Sequence, residues 1–160
     1  MRILGIDPAF SVTGYGLIEA GRNKIVLIEA GVIITRAKQT YTERLSKIYQ
    51  GITNLIDEFN PEVMVVEKLY AHYRHPTTAY LLGQVKGITT LIAAQKNLPL
   101  FEYAATRIKK AIVGSGSASK YQIQRMVLNL LNLDKIPKYM DVTDALAVAI
   151  AHSYICRVKL

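Results

Sequence analysis

The fold class predicted by this sequence is α/β: a single mixed β-sheet of about five strands, three antiparallel and then parallel, with helices on both faces. Three observations predict it. Three β-rich runs joined by short turns open the chain. The hydrophobic period then lengthens to the helical 3.6 residues near Tyr41. From that point strand and helix alternate, the pattern of a sheet that gains parallel strands through helical crossovers. Residues 1–160 read as one domain, long enough to bury its own core.

The elements follow in order. Arg2 to Asp7 is a short strand ending in a carboxylate, and Pro8 opens the turn behind it. Thr13-Gly14-Tyr15-Gly16-Leu17-Ile18 is a second strand, and Asn23 to Thr35, rich in β-branched residues, a third. Leu45, Ile48, Tyr49, Ile52, Leu55, Ile56 and Phe59 recur at helical spacing, so Tyr41 to Phe59 is an amphipathic helix, with Thr40 and Glu43 placed as a capping box and Pro61 marking its end. Glu62 to Glu67 is a nearly all-apolar strand of the kind buried on both faces of a parallel sheet. The link Lys68 to Pro76 leads to a long helix from Thr77 to Lys96, then a fifth strand, Leu100 to Tyr103. A short helix from Thr106 to Ile112, a glycine- and serine-rich loop, a helix from Lys120 to Leu131 and a last helix from Met140 to His152 complete the order β-β-β-α-β-α-β-α-α-α.

Hydrophobic residues make up 51% of the chain and charged residues 20%, a globular balance. The one cysteine, Cys156, excludes a disulfide framework and a cysteine-rich metal site, which suits an intracellular, cytoplasmic protein. No apolar run approaches a membrane span, and no basic amphipathic helix or lipid signal points to a membrane surface. The net charge of +8 points to a polyanion. Its distribution sharpens this: between Lys68 and Met140 stand eleven Lys or Arg residues against two acids, Glu102 and Asp134. Nucleic acid is the partner these charges favour.

Four acids stand where chemistry is expected. Asp7 and Glu67 end the first and fourth strands, whose carboxyl ends converge if the strands are parallel neighbours. Asp141 and Asp144 open the last helix three residues apart, on the same side, where like charges repel by a few tenths of a kcal/mol. Each has an ordinary explanation in turns and helix caps. Brought together, the four need a counter-charge, and all-oxygen ligation suits magnesium or manganese rather than zinc. Two such ions about 4 Å apart can activate water and stabilise the leaving oxygen of a phosphodiester. Gly114 to Lys120 precedes a helix like a phosphate loop, but it lacks the glycine directly before lysine that a Walker A loop needs. An aspartate-led first strand also opens sugar kinases and actin-like ATPases, which require a second domain that 160 residues do not supply.

Taken in order, Ile3-Leu4-Gly5-Ile6-Asp7-Pro8 with Thr13-Gly14-Tyr15-Gly16, Val65-Val66-Glu67, Gly83-Gln84, Val113 to Lys120, and Asp141 to Ile150 resemble the RuvC family of bacterial Holliday junction resolvases. The first motif alone is shared with many other proteins; the ordered set, running from Met1 to about His152, is specific. The resemblance implies a ribonuclease H-like fold, a homodimer, and symmetrical nicking of two strands of a four-way DNA junction in recombination and repair. It also implies Mg2+, with Mn2+ as a substitute, as two ions held by Asp7, Glu67, Asp141 and Asp144 as catalytic acids. Lys109 and Lys120 match basic positions near the cleaved strand. Tyr70 stands where the family stacks an aromatic on junction bases. Lys68, Arg74 and Lys110 are further candidate DNA contacts. A branch-migration motor is a candidate partner.

The chain departs from the family pattern in two places. Ala9-Phe10 stand where glycine usually follows Asp-Pro, and alanine resists a positive φ. Lys68 and the run His72-Tyr73-Arg74-His75 extend positive charge into the link after Glu67. Two rival readings stand beside the resolvase: a YqgF-type RNA-processing nuclease on the same fold, and a junction-binding protein that does not cut.

Overall fold

The computed structural model describes residues 1–68, 76–135 and 137–157. Strands β1 (Arg2–Asp7), β2 (Val12–Ala20), β3 (Ile25–Ile34), β4 (Val63–Glu67) and β5 (Leu100–Tyr103) form one sheet in the order β3-β2-β1-β4-β5. The first three pair antiparallel, and β1–β4 and β4–β5 pair parallel, which is the expected mixed sheet. Asn23 and Lys24, expected in the third strand, belong instead to a turn that Gly21 closes by donating to the Lys24 carbonyl at 2.9 Å.

Alternation along the strands divides the core in two. Leu4, Ile6, Leu17, Met64 and Val66 face one side, where α1 (Tyr41–Phe59) and α2 (Pro76–Gln95) cover them with Ile48, Ile52, Val85 and Ile92. Ile3, Ile18, Val65 and Tyr103 face the other, against α3 (Ala105–Val113), α4 (Lys120–Leu131) and α5 (Met140–Arg157). Helix α1 starts at the expected capping box: Thr40 accepts from the Glu43 N–H, and the Glu43 carboxylate accepts from the Thr40 N–H. Ser119 and Gln122 cap α4 in the same way. Gly114 ends α3 with φ of 80°, where a side chain would be strained.

Helix α5 lies directly on β1 and β2, and glycines permit it. A Cβ at Gly5 would stand 2.1 Å from the Ala145 carbonyl oxygen, one at Gly14 2.1 Å from the Asp141 carbonyl oxygen, and one at Gly16 2.5 Å from the Leu146 side chain. Gly5 and Gly16 are cross-strand partners, and Gly14 pairs with Asp7. The sheet therefore presents a bare track into which the alanine-rich face of α5 settles. Ala145 to Ala151 are all buried. The helix continues past His152 to Arg157, since nothing in the sequence breaks it. Its distal end is tied to β5, where the Tyr103 hydroxyl stands 2.9 Å from His152 Nδ1 and Phe101 packs on the imidazole with ring centroids 4.6 Å apart.

This packing makes a direct prediction. Gly5→Ala forces a methyl onto the α5 backbone and is expected to lower the unfolding free energy by roughly 2–4 kcal/mol, read as a lower midpoint in urea denaturation. An unchanged midpoint would mean that α5 does not sit this close to β1.

Candidate active site

The docking of α5 determines where its first turn falls. Gly5 faces α5, so Asp7, two residues further along the same strand, projects to the same side of the sheet. Gly5 pairs with Val65 in the parallel register, so Glu67 holds the equivalent place on β4. Asp7, Glu67 and Asp144 line one cleft of about 440 Å3, with Lys109 and Lys120 on its wall and Ile108, Ala147 and Val148 as apolar lining. Asp141 stands over Gly14, beside Asp7 in the neighbouring strand.

The electrostatics bear the strain of this grouping. Burial, and after it the charges of Asp144, Asp141 and Glu67, push the Asp7 carboxyl up from 3.8 to about 7. Glu67 is raised too, first by burial and then by Asp144, with Lys120 and Lys109 opposing. The Lys120 ammonium donates to Asp144 Oδ2 at 2.8 Å, and that hydrogen bond raises its own pKa. One lysine thus offsets part of the charge of four acids. Among the described residues no three carboxylates are already gathered as a ligating group for one ion. The donor set nevertheless fits a hard divalent cation: the ligands are all oxygen, and a positive charge would remove the repulsion that raises Asp7.

The turn behind Asp7 is clamped from three sides. The Thr13 hydroxyl donates to the Ala9 carbonyl at 2.6 Å, and the Thr35 hydroxyl donates to the Phe10 carbonyl at 2.6 Å. Arg44 on α1 donates to Thr35 Oγ1 at 2.9 Å, to Ser11 Oγ at 2.9 Å and to the Phe10 carbonyl at 3.2 Å, with its guanidinium 3.8 Å from the Phe10 ring centroid. Ala9 is not among the positive-φ residues, so this turn closes without glycine.

The other expected contacts scatter. Lys109 lines the cleft, whereas Lys110, its neighbour on α3, is exposed outside it. Lys68 follows β4 and donates its backbone N–H to the Tyr103 carbonyl at 2.8 Å. Tyr70, Arg74, His72 and His75 lie outside the described residues. Sequence reasoning missed Arg44 and the glycine track. Gly5, Gly14 and Gly16, two apart or facing across a hairpin, were the available signal for the track; nothing in the sequence singles out Arg44.

The family model described as "Crossover junction endodeoxyribonuclease RuvC" matches residues 3–152. The chain belongs to the RuvC family. A RuvC protein of Natranaerobius thermophilus is 45% identical over 99% of this chain and 98% of its own length, and one of Pseudothermotoga lettingae 43% identical over 95% and 93%. Among solved structures, Thermus thermophilus RuvC in complex with a Holliday junction substrate superposes with a TM-score of 0.93 at 29% identity, covering 99% of this chain and 96% of that one. The yeast mitochondrial resolvase Ydc2 shares the fold at a TM-score of 0.70 and 15% identity.

The raised Asp7 carboxyl gives a prediction whose sign follows from linkage. Its folded pKa of about 7 lies above the ordinary 3.8, so the folded state holds an extra proton between those values and stability falls as pH rises through that window. Some three pKa units correspond to at most about 4 kcal/mol. In a chelator, Asp7→Asn is expected to raise the melting temperature on the order of 5 °C at pH 8 and to leave it nearly unchanged at pH 4. Equal melting curves at pH 8 would contradict the grouping of the four acids.

Proposed function

We propose that this protein is an endonuclease that resolves four-way DNA junctions by paired, symmetrical nicks, as its family membership implies. The observation that carries the reading is the cleft itself, with an acidic floor of Asp7, Glu67 and Asp144 and the two lysines Lys109 and Lys120 on its wall. Carboxylates beside a DNA backbone are unfavourable unless they hold cations, and lysines beside them favour a phosphodiester over a neutral substrate. Asp7, Glu67, Asp141 and Asp144 are the proposed ligands of a divalent cation, Mg2+ or Mn2+, in a pair. Bound there, such ions would supply an activated water and charge neutralisation at the scissile phosphate.

The chain's own residues divide the remaining work. Asp7 gives up its proton when the site is loaded, so cation binding is favoured by rising pH through about 7. Lys120, which holds Asp144 in the free protein, is placed to exchange that carboxylate for a DNA phosphate. Lys109 lowers the pKa of Glu67 and lies along the same wall. Arg44 and the two threonines keep the turn behind Asp7 from relaxing away from the repulsion.

The same proposal includes a homodimer, joined through α2. Gly83 and Gly87 lie one turn apart with nothing within 4 Å of a built Cβ, so among the described residues no contact explains them, although each costs a helix roughly 1 kcal/mol relative to alanine. Tyr80 and Leu91, 59% and 52% exposed, flank them. A flat small-residue face with apolar flanks suits the close approach of a second copy. A branch-migration motor remains part of the proposal as a further partner.

Cleavage of a labelled four-way junction, beside linear duplex of the same sequence, tests the activity. Paired symmetrical nicks are expected in the junction alone, absent in EDTA and reduced at least about a thousandfold by Asp7→Asn or Glu67→Gln. Tight junction binding without cutting under any divalent ion would make the protein a binding module. For the dimer, Gly87→Arg is expected to convert the particle to a monomer by light scattering, and a dimer of unchanged mass would place the interface elsewhere.

A further inference from the structure

We propose that the outer face of α4, with Tyr121 and Arg125 at its crest, is a second contact surface for DNA that grips the backbone of a duplex arm outside the cleft. The inference rests on the nuclease reading and extends it to residues beyond the cleft wall. From Tyr103 to Leu133 the sequence holds Arg107, Lys109, Lys110, Lys120 and Arg125 and not a single acid. A run of five cations without a carboxylate, spanning α3, its loop and α4, is unusual on a surface that only needs to be soluble. It has the charge pattern that attracts a polyanion.

Position then decides which part of the DNA is met. Lys120 reaches into the cleft from the first position of α4, and Tyr121 is the next residue, turned about 100° around the helix. Tyr121 is 61% exposed, and the Arg125 guanidinium lies 5.9 Å from its ring centroid. The pair forms one wall of a shallow groove of about 340 Å3 whose lining includes Val113, Met126 and Asn129. Among the described residues no ion pair engages Arg125. An aromatic ring beside a guanidinium narrows the range an exposed arginine explores, which removes part of the side-chain entropy lost on meeting a phosphate. The apolar groove beside it suits the faces of deoxyribose. Five residues of helix carry Arg125 roughly 8 Å beyond Lys120 along α4, two to three base-pair steps from the cleft. The structure therefore assigns Tyr121 and Arg125 to sequence-independent contacts with duplex backbone and not to the crossover.

Fluorescence-anisotropy titrations test this, made in an Asp7→Asn background so that the DNA stays uncut. Arg125→Ala is expected to weaken binding to a four-way junction roughly five- to tenfold and to reduce the slope of log affinity against log salt by about one. The same factor is expected on linear duplex, because the contact is to an arm. Arg125→Lys should restore most of the salt slope, which a purely structural loss would not allow. Tyr121→Ala should weaken both substrates with little change in slope. Unchanged affinity and slope for Arg125→Ala, or a defect confined to junctions, would overturn the assignment. If the unsubstituted Asp7→Asn protein bound neither DNA, the nuclease reading would fail instead.

Discussion

Everything at the acidic end of the cleft depends on how closely α5 approaches β1 and β2. The helix backbone occupies space that Cβ atoms at Gly5 and Gly14 would need, and this close seat carries Asp141 and Asp144 to Asp7 and Glu67. The grouping is expensive: Asp7 alone is raised to about 7, which corresponds to at most about 4 kcal/mol above neutral pH. Burial on the same helix outweighs it. Leu146 and Ile150 are fully buried, each worth roughly 1.5–3 kcal/mol, and the alanines between them add close contacts along the whole track. The hydrophobic seat therefore opposes the repulsion among the acids.

That balance explains why charge and packing are segregated along α5. Its first turn faces the cleft and carries the acids, and its middle is apolar on every side. Its last turns are fixed to β5 through His152 and Tyr103, whose Cα pairs in register with Glu67. One end of the helix is thus referenced to β1, which carries Asp7, and the other to β5, the neighbour of the strand that carries Glu67. His152, buried and with its pKa lowered by that burial, is a neutral structural partner for Tyr103 in this arrangement. The Arg44 clamp completes the frame from the opposite face of the sheet.

Much of this was legible in the sequence for identifiable reasons. Element order and the capping box at Thr40 follow from local periodicity and turn chemistry, which the tertiary structure does not override, while the adjacency of β1 and β4 was a condition of the sequence reading that the structure meets. Asp7 and Glu67 reach one cleft as strand ends and Asp144 as part of the first turns of the last helix, and Lys109 and Lys120 join them there. Arg44 was not legible, because an arginine in the first turn of an amphipathic helix looks like any solvated charge until the Phe10 ring is placed beneath it. Nor was the Lys120–Asp144 pair, which spans 24 residues and depends on how α4 and α5 cross. The last helix runs beyond the expected end at His152 because the apolar run stops at Ala151 while nothing in Ser153 to Arg157 breaks a helix.

The central proposal is that a divalent cation relieves the repulsion that helps to raise Asp7 and Glu67. The most direct test is a 13C NMR titration of the Asp7 carboxyl, assigned by its loss in Asp7→Asn, in EDTA and again in excess Mg2+. A midpoint near 7 in EDTA, falling by roughly two units or more when Mg2+ is present, is the result expected. A midpoint at the ordinary aspartate value in EDTA, or one that Mg2+ leaves in place, would contradict it.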